Sequence, residues 1–114
     1  MEYTILVVDD DEDLCKILGK RLELMGYIVH TATCGRDAIT VFRDIKPRIV
    51  LMDFMLPDIN GLDLLRQMKC EIPDTEVIII TGHADMELAI KSFQCDATDF
   101  VTKPLGRDNL DHAL

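Results

Sequence analysis

Two hydrophobic periods take turns along this chain. The runs Thr4-Ile5-Leu6-Val7-Val8, Arg48-Ile49-Val50-Leu51-Met52 and Glu76-Val77-Ile78-Ile79-Ile80 are apolar at nearly every position, as strands buried on both faces must be, and they are predicted to form a sheet centre. Tyr27-Ile28-Val29-His30-Thr31 is mixed, and Thr98 to Thr102 is short and polar at alternate positions. These two are predicted edge strands. Between the strands, apolar residues recur at helical spacing. Leu14, Ile17, Leu18, Leu22 and Met25 make one stripe, which Gly26 ends. Ala38, Val41, Phe42 and Ile45 make a second, closed by Pro47. Leu62, Leu65 and Met68 follow Gly61, and Met86, Ala89, Ile90 and Phe93 form a fourth stripe. A fifth helix is expected to start near Gly106-Arg107-Asp108 and to run to Leu114. It is shorter than the usual three or so turns, which predicts a truncated last helix and a chain cut from a longer protein.

Strand and helix alternate throughout, which implies right-handed βαβ units and a parallel sheet with helices on both faces. With the mixed strands at the edges, the expected fold is α/β: a flavodoxin-like, doubly wound, five-stranded parallel sheet of order 2-1-3-4-5. No linker, repeat or low-complexity segment divides residues 1–114, and that length suits a single domain.

A formal net charge of −9 argues against a nucleic-acid surface, because such a surface needs clustered Lys and Arg to displace counterions. Cys15, Cys34, Cys70 and Cys95 form no C-x-x-C pair and match no zinc-ligand spacing, so they are read as reduced thiols of a cytoplasmic protein. There is no basic leader pattern and no apolar stretch near the roughly 20 residues of a membrane span. A protein that is neither exported nor inserted is expected.

The chemistry is expected where open α/β sheets put it, at the carboxyl ends of the strands. Four such ends carry polar groups: Asp9-Asp10-Asp11-Glu12-Asp13 after the first strand, Asp53 after the third, Thr81 after the fourth and Lys103-Pro104 after the fifth. In order 2-1-3-4-5 the first and third strands are neighbours, so Asp9, Asp10 and Asp53 converge. Crowded carboxylates stay ionised only if a cation neutralises them. Oxygen-only donors with room for water and phosphate suit Mg²⁺. With the Lys103 ammonium and the Thr81 hydroxyl, they could hold a transferring phosphoryl group, for which Asp53 is the candidate nucleophile. Asp11 and Asp13 are read as an N-cap and a first-turn acid of the first helix. His30, His83 and His112 show no partner pattern, and Phe100 has core packing as a competing role.

These residues, in this order and phase, resemble the receiver domain of two-component response regulators. The resemblance spans essentially the whole chain. It implies Asp10, Asp53 and the backbone carbonyl of Met55 as Mg²⁺ ligands, Asp9 acting through water, and Asp53 as phosphoacceptor. It also implies Thr81 and Lys103 as partners of the phosphoryl oxygens, Thr81 and Phe100 as the switch pair, and a cis Lys103-Pro104 bond. Gly61 is expected to give the tight turn closing the loop Pro57-Asp58-Ile59-Asn60-Gly61, and Gly82 to leave space for the phosphoryl group. The implied function is a phosphorylation-activated switch whose only catalysis is its own phosphorylation and slow dephosphorylation. Its implied partners are a sensor histidine kinase, an output domain beyond Leu114 and a phosphorylation-dependent second copy, with no nucleic acid or membrane contact by this domain. The segment Thr81-Gly82-His83-Ala84-Asp85 is similar to receivers attached to transcriptional activators.

Two enzyme-like alternatives compete. A haloacid-dehalogenase-like aspartyl phosphatase also uses a strand-end Asp and Mg²⁺, but it places a second Asp two residues on, where this chain has Met55. An FMN-binding flavodoxin shares the fold, yet the acidic loop Asp9 to Asp13 would repel the flavin phosphate. A receiver-like scaffold that is never phosphorylated would lack one of the core residues, and all are present.

Overall fold

The computed structural model describes residues 3–82 and 86–103. The expected fifth helix, the geometry of the Lys103-Pro104 bond, His83 and His112 lie outside them. The elements are β1 (Thr4–Val8), α1 (Glu12–Leu24), β2 (Ile28–Ala32), α2 (Gly35–Ile45), β3 (Ile49–Asp53), α3 (Gly61–Glu71), β4 (Glu76–Thr81), α4 (Met86–Gln94) and β5 (Asp99–Thr102). The strands are parallel in the order β2-β1-β3-β4-β5, which is the expected flavodoxin-like fold. Asp53 and Thr81 are the last residues of their strands rather than the first beyond them, so sheet pairing itself fixes their backbones.

Alternate residues of the central strands feed two core layers. Leu6, Val8, Val50, Met52, Val77 and Ile79 face Ala38 and Phe42 of α2, Leu62, Leu65 and Met68 of α3, and Leu88 of α4. Ile5, Val7, Leu51, Ile78 and Ile80 face Cys15, Leu18 and Leu22 of α1. Phe42 is fully buried, and truncating such a side chain to Ala costs about 3–5 kcal/mol.

α1 begins where Asp11 Oδ1 accepts from the backbone N–H groups of Asp13 and Leu14, both at 3.1 Å, as expected for an N-cap. It ends at Gly26, whose φ of +100° suits only glycine. There Gly26 N–H donates to Glu23 and Tyr27 N–H to Leu22, at 3.0 and 3.1 Å, the paired bonds of a Schellman ending. α2 stops at Lys46 in the left-handed conformation, followed by Pro47.

Two expected stripes are corrected. The buried face of α1 is Cys15, Leu18, Gly19 and Leu22, whereas Ile17 and Met25 are exposed. The stripe drawn through the larger apolar residues is therefore rotated from the true one, which contains a thiol and a glycine. In α4 the buried residues are Leu88 and Ser92, while Met86, Ile90 and Phe93 are 76, 51 and 49% exposed. Ser92 tolerates full burial because its hydroxyl donates to the Leu88 carbonyl at 2.9 Å, so no polar group is left unpaired.

Candidate functional site

The sheet register brings the predicted strand-end residues together. Asp9 follows β1, is held by its N–H bond to the Ala32 carbonyl at 3.1 Å, and is buried. Its Oδ1 accepts from Asp11 N–H at 3.0 Å and its Oδ2 from Lys103 Nζ at 2.8 Å. Asp53 ends β3 opposite Ile80. Its Oδ1 accepts from Met55 N–H at 3.1 Å and its Oδ2 from the same Lys103 ammonium at 3.1 Å. Lys103 is aimed by its own backbone, whose N–H bonds the Thr81 carbonyl at 2.7 Å. Carboxylate oxygens of Asp9, Asp10 and Asp53 lie within 4.8 Å of one another, with Asp10 exposed and the other two buried.

The electrostatics follow from this crowding. Burial pushes the Asp53 carboxyl above the usual carboxylate range; the Met55 N–H and the Lys103 ammonium pull it down, and the Asp9 charge adds to the rise. For Lys103, burial alone would lower the pKa, but hydrogen bonds to Asp9 and Asp53, together with their charges, outweigh it and raise it. Among the described residues, three carboxylates against one ammonium leave two negative charges uncompensated. An all-oxygen donor set with that charge and an exposed side fits a hard divalent cation such as Mg²⁺. Cys15 donates to the Asp9 carbonyl at 3.3 Å. Burial and then the Asp9 charge raise its thiol to about 11, so it is inert packing.

Thr81 is fully buried at the end of β4, pairing in register with Thr102 beside Lys103. Among the described residues, a Cβ on the neighbouring Gly82 would meet nothing within 4 Å. Phe100 pairs with Ile79 and is half-buried against the layer formed by α2, α3 and α4. Met55 is 56% exposed and bridges Asn60 across the loop after β3. Gly61 closes that loop by donating to the Phe54 carbonyl at 3.0 Å. Its role differs from the expected turn: it is the first residue of α3, and a Cβ there would lie 2.7 Å from Phe54 Cα. Close backbone approach, not turn conformation, demands glycine. Sequence reasoning missed Asp58, whose carboxylate reaches across to α2, accepting from Gly35 N–H at 2.8 Å and from Arg36 N–H at 2.9 Å. Only the three-dimensional approach of two loops reveals it.

A family model, the response regulator receiver domain, matches residues 5–114. The chain belongs to this family. As a receiver domain it is a phosphorylation-activated signalling module, and the family assignment displaces the aspartyl-phosphatase alternative. It is 38% identical over 106 residues to the regulatory protein AtoC of Escherichia coli K12, covering 93% of this chain and 23% of AtoC. Among solved structures it resembles a BeF3-activated DrrB receiver domain, with 35% identity, a TM-score of 0.87, and coverage of 96% of this chain and 92% of that one. It also resembles a response regulator from Burkholderia pseudomallei with a phosphorylated aspartic acid, a calcium ion and citrate, at 27% identity and a TM-score of 0.92, covering 98 and 66% of the two chains. The receiver therefore spans about a quarter of AtoC's length. Among the described residues no helix is long and apolar enough to cross a membrane.

Proposed function

We propose that residues 1–114 are the receiver domain of a longer cytoplasmic response regulator in which Asp53 accepts a phosphoryl group from the phosphohistidine of a sensor histidine kinase. The observation that carries this reading is the convergence of Asp9, Asp10 and Asp53 within 4.8 Å, with Lys103 bridging two of them. An Asp53 oxygen forms a bond to phosphorus as the phosphorus–nitrogen bond of the donor breaks; the electron pair stays on the imidazole, which takes up a proton. Asp10, Asp53 and the Met55 carbonyl would hold Mg²⁺, with Asp9 acting through water, and the ion would neutralise charge on the phosphoryl oxygens. Lys103 exchanges its carboxylate bond for a phosphoryl oxygen, since its ammonium offers three donors. Support comes also from the phosphorylated aspartate and calcium ion named for the Burkholderia pseudomallei relative.

The domain's own catalysis is confined to acquiring this group and slowly losing it to water. Thr81 turns toward the phosphoryl group, Phe100 follows into the space released, and the surface of α4 and β5 changes. That surface carries the exposed Met86, Ile90 and Phe93, an apolar face for an output domain or a second copy. Nucleic-acid contact, where it exists, belongs to the output domain, because this one carries a net charge of −9.

The test is incubation with a small phosphodonor and Mg²⁺. Intact-mass analysis should find one added phosphoryl group on the wild type, labile to hydroxylamine, and none on Asp53→Asn, because an amide cannot form the acyl phosphate. Equal labelling of that variant would remove Asp53 as the acceptor.

A further inference from the structure

We propose that Asp58 is a positioning residue for the site at Asp53: its carboxylate clasps the tip of the β3–α3 loop to the start of α2 and thereby fixes the backbone of Met55. The proposal rests on the role given above to Asp53 and Met55.

The first N–H groups of a helix have no partner within it. In α2 the local cap is Cys34, whose sulfur accepts only from Asp37 N–H, at 3.5 Å; sulfur is a weak acceptor. The two N–H groups that open the helix, on Gly35 and Arg36, are satisfied from more than twenty residues away by the two oxygens of Asp58, at 2.8 and 2.9 Å. Those bonds hold the Asp58 carboxyl below its usual range, and the negative charge sits at the positive end of the α2 dipole. The adjacent Ile59 completes the clasp. A Cβ on Gly35 would run into the Ile59 side chain, so the bare glycine backbone is what lets this half-buried residue seat beside the start of α2 while packing on the core.

The loop is thus tied at both ends. Its base is closed by the bond from Gly61 N–H to the Phe54 carbonyl, by the Met55–Asn60 bridge, and by Asn60 Oδ1 accepting from Leu62 N–H at 2.8 Å. Its tip is held by Asp58 and Ile59. Met55 belongs to the base, with its N–H on Asp53 Oδ1 and its bridge to Asn60 two residues from the Asp58 anchor. Asp9 and Asp53 are placed by the sheet and need no loop to position them. The Met55 carbonyl is the one candidate metal donor whose place depends on the loop, so loss of the clasp should weaken metal binding while sparing the acidic cluster.

Magnesium binding to the 114-residue chain is measured by calorimetry at low temperature, where every variant is folded by circular dichroism. Asp58→Ala should bind Mg²⁺ about tenfold more weakly, at the low end for a group that orients a donor without being one. Asp58→Asn, which retains a neutral acceptor, should recover part of the loss. Asp37→Ala removes a first-turn acid of α2 itself while leaving the bonds of Asp58 to Gly35 and Arg36 in place, and should bind as wild type does. Unchanged affinity in Asp58→Ala overturns the proposal, and so does an equal loss in Asp37→Ala, which would make helix stability the cause. The phosphorylation of Asp53→Asn, assayed in parallel, reports separately on the acceptor: labelling of that variant would sink the Asp53 assignment while the magnesium titrations still decide the clasp.

Discussion

Replacing Lys103 with Met removes the ammonium that Asp9 and Asp53 share at 2.8 and 3.1 Å, and leaves two carboxylates with 3 and 7% of their side-chain surface exposed. At an effective dielectric of about 20, each contact is a gross attraction of about 5–6 kcal/mol, and the carboxylates, no more than 4.8 Å apart, repel by at least about 3.5 kcal/mol. The net loss is smaller, because a stranded carboxyl can take up a proton. For an ordinary pKa near 3.9, that costs about 4 kcal/mol at pH 7, which sets a ceiling. Lys103 is itself 25% exposed, so screening lowers the expected destabilisation to about 2–3 kcal/mol. Urea unfolding at pH 7 without metal should show this deficit. Millimolar Mg²⁺ should shrink it, since the ion binds the folded state and replaces the lost positive charge. The pH dependence has a definite sign. The folded pKa of Lys103 is raised, so its contribution is complete below the ordinary lysine value and disappears only as pH rises through the folded one. The folded pKa of Asp53 is also raised, so its ionisation costs stability at neutral pH, and that cost vanishes in acid. The variant's deficit should therefore narrow as pH falls. A deficit of the same size with and without Mg²⁺, or a variant more stable than wild type at pH 7, would refute the shared-charge reasoning.

Three further outcomes are expected. Mg²⁺ should raise the melting temperature of the wild type, and Asp10→Ala should lose that rise in a thermal-shift titration; an identical response would take Asp10 out of the metal site. Gly61→Ala should destabilise by about 1–3 kcal/mol, read from denaturant midpoints, because its Cβ meets backbone at Phe54 rather than a movable side chain. Met55→Asn should speed loss of the acyl phosphate several-fold, roughly 1 kcal/mol on the barrier, by presenting a group that orients water where methionine cannot; unchanged decay after donor removal would show that this side chain does not guard the water path.

The parts of the molecule legible in the sequence are those where one residue's chemistry and its place in a period agree. The interiors of β1, β3 and β4 are apolar because both faces are covered, so their polar last or next residues stand out, and topology alone brings Asp9, Asp10 and Asp53 to one point. Helix faces are less legible, because the rule that large apolar residues point inward runs only one way. In α4 it selects Met86, Ile90 and Phe93, yet the core takes Leu88 and Ser92; a serine that bonds its own helix backbone is, to the core, a small apolar residue. In α1 it passes over Cys15 and Gly19 for the same reason of size. The Asp58 clasp is illegible for a different cause. Its donors are backbone N–H groups, which every residue but proline carries, and only the approach of two loops across more than twenty residues selects Gly35 and Arg36. Sequence periods report what each element buries against the sheet, whereas contacts between loops depend on how finished elements lie, and it is such contacts that hold the Met55 backbone beside a carboxylate already placed by β3.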